Sequence, residues 1–233
     1  RMRPGLEQKE GYRYVQEMLP LLRRLWQGDV AHDGEFWQFP AATSCPKPLQ
    51  DPVPFWVAAR SPVTFDYAVE QGCDILSWPL TMPMSEAEAM KTRRDEAIAK
   101  AGGGYAGRWA MMRHAAVYET EADRHTALSA VRRVLGQFGN LMMKKGEVID
   151  GFPEEIPLSE LEGNVRVDPG MLEQNLLFGS PEAVIEKLRA YEALGVDAFV
   201  YYASMGLGHE EQKRALQLFI DKVMPAFAEL EPA

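Results

Sequence analysis

After residue 54 the chain alternates short apolar runs with helix-length segments, and this alternation constrains the fold more than any other feature. Phe55 to Ala59, Cys73 to Trp78, Trp109 to Tyr118 and Val196 to Ala203 are near-continuous apolar runs of strand length. Such runs suit strands buried on both faces, as in a parallel sheet. Helix signals lie between them. Ser61 and Pro62 read as N-cap and first residue of a helix reaching about Gln71 and stopping at Gly72. Met84-Ser85-Glu86 opens a helix with Ser85 as cap, which reaches Ala101 and is broken by Gly102-Gly103-Gly104. Glu121 to about Phe138 is helical, Ser180-Pro181 starts a helix ending at Gly195, and a last helix spans Glu210 to Leu230. Strand–helix alternation implies βαβ units. Four such strands make half of an eight-stranded α/β barrel, which when complete takes ~250 residues.

Upstream, Glu7 to Trp26 reads as an amphipathic helix with Tyr14, Met18, Leu21, Leu22 and Leu25 on its apolar stripe, a kink at Pro20 and a stop at Gly28. Asp29 to Pro54 is a proline-rich loop with a short ribbon at Glu35 to Phe39. Residues 139–178 carry scattered Gly and Pro and no sustained period, so they are expected to be a lid-like insertion within a single domain covering residues 1–233.

Charge excludes several partners. The 233 residues carry 25 Lys plus Arg against 34 Asp plus Glu, a net charge of −9. Nucleic acid and polybasic membrane binding both need the opposite balance. No run approaches a membrane span, and Arg1 to Glu10 lack the apolar stretch of a secretory signal. Cys45 and Cys73 are in no metal-site or CxxC spacing, and are expected as buried or partly buried thiols in a reducing cytoplasm. The chain does not begin with Met and opens on a helix approach, so an incomplete amino terminus is expected.

Two strand ends carry the candidate chemistry. In Arg60-Ser61-Pro62-Val63-Thr64 the hydroxyls of Ser61 and Thr64 fall in the first turn of a helix, where free N–H groups and the helix dipole favour an anion. The plain alternative is an ordinary N-cap. At Ser77-Trp78 a hydroxyl and a large aromatic end a buried strand, where α/β barrels carry their sites. Trp78 either stacks on a planar ring or packs under a loop. His32, His114, His125 and His209 have no metal spacing, and no metal is expected. His114 is read as a satisfied histidine, and Arg124 and His125 as solvated. The methionines at 111, 112, 142 and 143 are read as packing residues. Tyr202 and Ser204 share one face of the last strand and Tyr201 takes the other, with the inward face left open.

The order of Phe55 to Ala59, Ile75-Leu76-Ser77-Trp78, Gly179 to Ile185, Gly195 to Phe199 and Leu218 to Pro225 resembles the carboxyl half of the bacterial luciferase-like flavin-dependent monooxygenases. Leu22 to Trp26, His32, Gly34, Phe36 and Pro46-Lys47-Pro48 are similar to the family's segment before its fifth strand. The likeness is weakest at 139–175. It implies a (β/α)8 TIM barrel binding reduced FMN, with the Arg60 N–H and the Ser61 and Thr64 hydroxyls on the flavin phosphate and Ser77 and Trp78 near the isoalloxazine. It further implies O₂ and a small apolar organic substrate, a flavin reductase as partner, a homodimer, and a mobile lid that keeps water from the reacting flavin. The catalytic base is unknown. The first four strands, which in the family supply a catalytic His, a phosphate Arg and dimer contacts, are missing here; Arg1 and Arg3 are the candidate remnants of the phosphate-side loop. Two alternatives stand beside this reading: an F420-dependent oxidoreductase of the same superfamily, and a non-catalytic flavin-binding protein.

Overall fold

The computed structural model describes residues 8–143, 147–203 and 206–230. Arg1, Arg3 and Ser204 lie outside them, and so do the side chains of Met142 and Met143. The chain divides into two compact units, Arg1–Pro54 and Phe55–Ala233.

The first unit is helix α1 (Gln8–Gln27) followed by an antiparallel hairpin of β1 (Val30–Asp33) and β2 (Gln38–Ala42). The expected ribbon exists, but residues 34–37 are its turn and not its strands. Glu17 of α1 sets that turn: its carboxylate accepts the Phe36 and Trp37 N–H groups at 3.0 Å and lies 2.9 Å from His32 Nε2. A Cβ at Gly34 would sit 1.9 Å from Glu17 Oε1, so a larger residue there would push the Glu17 carboxylate off these hydrogen bonds.

The second unit is a parallel sheet with helical crossovers. Its elements are β3 (Trp56–Ala58), α2 (Pro62–Glu70), β4 (Asp74–Ser77), α3 (Met84–Lys100), β5 (Trp109–Val117) and α4 (Glu121–Met143). Then come a minimal hairpin of β6 (Val148–Ile149) and β7 (Phe152–Pro153), α5 (Pro169–Asn175), β8 (Leu177–Gly179), α6 (Pro181–Ala193), β9 (Ala198–Tyr202) and α7 (His209–Leu218). Strands run in the order β3-β4-β5-β8, with β9 also paired to β5, all parallel.

Several details differ from the sequence expectation. The sheet has five strands and not four. The fifth, β8, is three residues long, too short for a period to show in a segment otherwise rich in turns. β3 is not buried on both faces, because it is an edge: Trp56 is 42% exposed, and only Val57 packs on the core. Pro83, and not Ser85, occupies the N-cap of α3, in an extended conformation that proline favours. α4 runs to Met143 through Gly136 and Gly139, since an interior glycine costs only about 1 kcal/mol. The last helix changes character, with a wider π turn over Phe219–Val223 and 3₁₀ turns over Met224–Leu230. Pro225, which has no N–H to give, sits at that change. Cys73 is buried, whereas Cys45 is exposed.

Alternation on β5 sorts the core. Trp109 and Met111 pack with Ile75 against Phe65 and Ala68 of α2 and Met90 of α3, and Ala115 and Val117 pack with Val184 and Leu188 of α6. The even positions face the other way, where Ala116 meets Leu128 and Val131 of α4.

The 139–178 segment is fastened to this frame. Arg124, expected as solvated, forms a two-pronged pair with Glu173 of α5 at 2.7 and 2.8 Å, and the Tyr118 hydroxyl donates to the same carboxylate at 2.5 Å. The Arg124 guanidinium holds the Glu173 carboxyl below its usual range. Lys187 of α6 donates to the carbonyls of Glu173, Leu176 and Phe178.

Candidate functional site

Ligands of α/β sheets bind at the carboxyl ends of the strands. At the end of β3, Ser61 is the N-cap of α2 and Pro62 its first residue, as the Ser-Pro pair dictates. The two hydroxyls do converge: Ser61 Oγ lies 3.2 Å from Thr64 Oγ1. Thr64 Oγ1 accepts the N–H groups of Arg60 and Ser61, both at 3.1 Å, and donates to Ser61 O at 2.8 Å. Arg93 of α3, which the sequence reading passed over, joins this turn. Its Nη1 donates to Arg60 O at 3.1 Å and pairs with Glu86 at 3.0 Å, while Arg60 Nε is 3.8 Å from the same carboxylate. The one available signal was spacing, since Glu86 and Arg93 are two helical turns apart and share a face. These residues line an open cleft of about 580 Å³ with two guanidiniums and one carboxylate, a net positive lining in an acidic chain.

The second pair separates. Ser77 and Trp78 are consecutive, so they point to opposite sides of the sheet. Ser77 is fully buried on the helix-packed side, where its Oγ donates to Ala59 O and accepts from Trp109 Nε1, both at 3.0 Å. Its hydroxyl is used within the core. Trp78 instead meets His114 edge-on at 5.3 Å between ring centres, and Tyr202 at 6.1 Å. His114 and Tyr202 are register partners across β5 and β9, with rings 4.7 Å apart. This pairing answers which face Tyr202 takes, while Tyr201 packs on Phe219 on the helix side.

His114 is not a satisfied histidine. It is 3% exposed, and among the described residues its Nδ1 has no hydrogen-bond partner; Trp78 Nε1 is likewise buried without one. Two unpartnered polar atoms in one aromatic cluster make it a candidate site. Burial, and then the charge of neighbouring Arg113, push the imidazole pKa down to about 4, so His114 is neutral at pH 7. Toward the other end of the same face, Trp56, Ala58, Ala198 and Val200 are exposed. Among the described residues, no group of three or more His, Cys, Asp or Glu is placed to hold a metal, and no helix is long and apolar enough to cross a membrane.

Residues 2–198 match the family model described as luciferase-like monooxygenase. The chain belongs to this family. Over 230 residues it is 34% identical to the oxygenase component of flavin-dependent trigonelline monooxygenase from Acinetobacter baylyi, covering 98% of this chain and 64% of that protein. It is 26% identical over 245 residues to the FMNH₂-dependent dimethylsulfone monooxygenase of Pseudomonas putida, covering 98% of this chain and 61% of the relative. Among solved structures, the coenzyme F420-dependent tetrahydromethanopterin reductase of Methanopyrus kandleri superposes with a TM-score of 0.66 at 18% identity, covering 91% of this chain and 62% of that one. The chain thus spans under two thirds of the length of these relatives, and its parallel sheet is part of a luciferase-like α/β barrel. An F420-dependent reductase shares this fold, so the fold by itself does not choose between the cofactors.

Proposed function

We propose that this chain is the carboxyl part of a flavin-dependent monooxygenase that takes reduced FMN from a separate reductase and, with O₂, oxidises a small apolar organic substrate. The observation that carries the reading is the pair of orphaned atoms, Trp78 Nε1 and His114 Nδ1, buried side by side at the carboxyl ends of the strands. A planar ring with hydrogen-bonding edges satisfies both without bringing charge into an apolar wall. The 34% identity to a flavin-dependent oxygenase component supports flavin over F420 and supports a reductase partner.

The residues present fit FMN. Thr64 Oγ1 accepts two backbone N–H groups at the head of α2, donors of the kind that suit a phosphate. A turn about its χ1 would free those donors for the phosphate and leave its own hydroxyl beside that of Ser61 to help hold it. The Arg60 and Arg93 guanidiniums supply the counter-charge. The bound flavin supplies the redox chemistry with O₂. The chain's own contribution is to orient the cofactor at both ends and keep the ring side dry. Ser77 has no part in this account; it supports the sheet from the core side.

Replacing Ser61 and Thr64 together by Ala is expected to weaken FMN binding by about 1–3 kcal/mol, roughly 5- to 150-fold in Kd. A fluorescence titration reads this directly. Unchanged affinity in the double variant removes the phosphate assignment.

A further inference from the structure

Arg113 is a fully buried arginine with no acidic partner among the hydrogen bonds and ion pairs of the described residues. Its Nε donates to the Tyr191 hydroxyl at 2.7 Å. Its Nη1 donates to two backbone carbonyls, Leu80 O at 2.9 Å and Met82 O at 2.8 Å, and its Nη2 is buried without a partner among the described residues. A buried cation whose hydrogen bonds go only to neutral dipoles, with Glu86 acting on it at longer range, is a poor source of stability, and an apolar side chain of similar length serves a core at least as well. Packing therefore does not explain it.

Its two carbonyl partners do. Leu80 and Met82 belong to the loop from β4 to α3, the loop that begins with Trp78. Leu80 has φ +56°, a left-handed conformation that a branched side chain adopts only when its surroundings impose it. The carbonyls on either side of Thr81 are the ones Arg113 grips, and Asn175 Nδ2 takes Thr81 O itself at 2.9 Å. Arg113 and His114 are neighbours on β5, so their side chains leave opposite faces of the sheet. One strand thus holds the loop from behind and presents the imidazole in front.

We infer that Arg113 is a positioning residue: by fixing the carbonyls of Leu80 and Met82 it holds the 78–83 loop in its strained form and so sets Trp78 edge-on against His114. The inference deepens the proposed function, resting on the reading of Trp78 and His114 as the wall that meets the flavin ring. It makes Arg113 a determinant of the cofactor site without contact to the cofactor.

The test is hydrogen exchange, followed by mass spectrometry, on the wild type and on Arg113→Met combined with Tyr191→Phe, which leaves no orphaned phenol. The Met82 amide, which donates to Pro79 O at 3.0 Å, is expected to exchange about tenfold faster or more, while β4 and β5 stay protected as in the wild type. Adding Leu80→Gly, which takes positive φ without strain, is expected to recover part of the loop's protection. Exchange that is unchanged in the loop, or that rises equally in loop and strands without rescue by glycine, overturns the inference. A second arm separates the two readings. Where the wild type binds FMN with its fluorescence quenched, the Met/Phe variant is expected to lose quenching as Trp78→Phe does; retained quenching overturns the inference. A wild type that binds no FMN defeats the function proposed above, and the exchange comparison still decides the role of Arg113.

Discussion

Trp109→Ala is expected to remove about 3–5 kcal/mol of stability, a large share of what a domain of this kind possesses. Trp109 opens β5, the strand to which β4, β8 and β9 all pair. It is completely buried against Phe65, Ile75 and Met90. Its backbone is clasped by Asp197, whose carboxylate accepts the Trp109 N–H at 2.7 Å and whose own N–H donates to Trp109 O at 2.9 Å. The indole N–H serves Ser77 at 3.0 Å, and Arg94 lies 5.6 Å over the ring. Truncation leaves a cavity between the sheet and helices α2 and α3, takes the donor from Ser77 and uncovers Arg94. Trp109→Phe keeps most of the packing and is expected to lose distinctly less. Urea unfolding of the three proteins measures this, and a loss below about 1 kcal/mol for the Ala variant contradicts the central place given to β5.

Acid is expected to destabilise the protein through His114. The imidazole pKa falls from 6.5 to about 4 on folding, because burial and then the Arg113 charge oppose protonation. Between those values the unfolded chain takes up a proton that the folded protein refuses. Stability therefore rises with pH across this window, and is lost as pH falls from about 6.5 toward about 4. The full drop corresponds to about 3 kcal/mol. In His114→Phe this part of the acid sensitivity is expected to vanish, leaving a flatter profile between pH 6.5 and 4. Urea midpoints for both proteins at several pH values give the comparison; parallel profiles refute the buried, neutral histidine. The same neutrality matters for the site, since an imidazolium would draw water into the wall it shares with Trp78.

What was legible in the sequence follows from how locally each feature is determined. The strands 56–58, 74–77, 109–117 and 198–202 announce themselves as apolar runs, and the Ser61-Pro62 and Ser180-Pro181 starts are fixed by the chemistry of one turn. The convergence of Ser61 and Thr64 is of the same kind, three residues apart in one helical turn. β8 was not legible because three residues carry no period, and Pro83 took the cap from Ser85 through the conformation of its own ring. The aromatic wall was half legible. Trp78 stood out at a strand end, but His114 was read as a satisfied histidine, and only strand register puts it beside Tyr202. Ser77 and Trp78 were paired by their place at one strand end and by the family resemblance, although neighbours in a strand send side chains to opposite faces. Arg113 and Arg93 were out of reach, since each acts on backbone carbonyls 20 or more residues away.

The most direct test of the account is a titration of FMN into the protein, followed by flavin fluorescence and repeated with Trp78→Phe and with the Ser61/Thr64 double Ala variant. The expected result is saturable binding at micromolar flavin, with quenching that depends on Trp78 and affinity that depends on Ser61 and Thr64. Absence of saturable binding, or binding indifferent to both ends of the site, contradicts it.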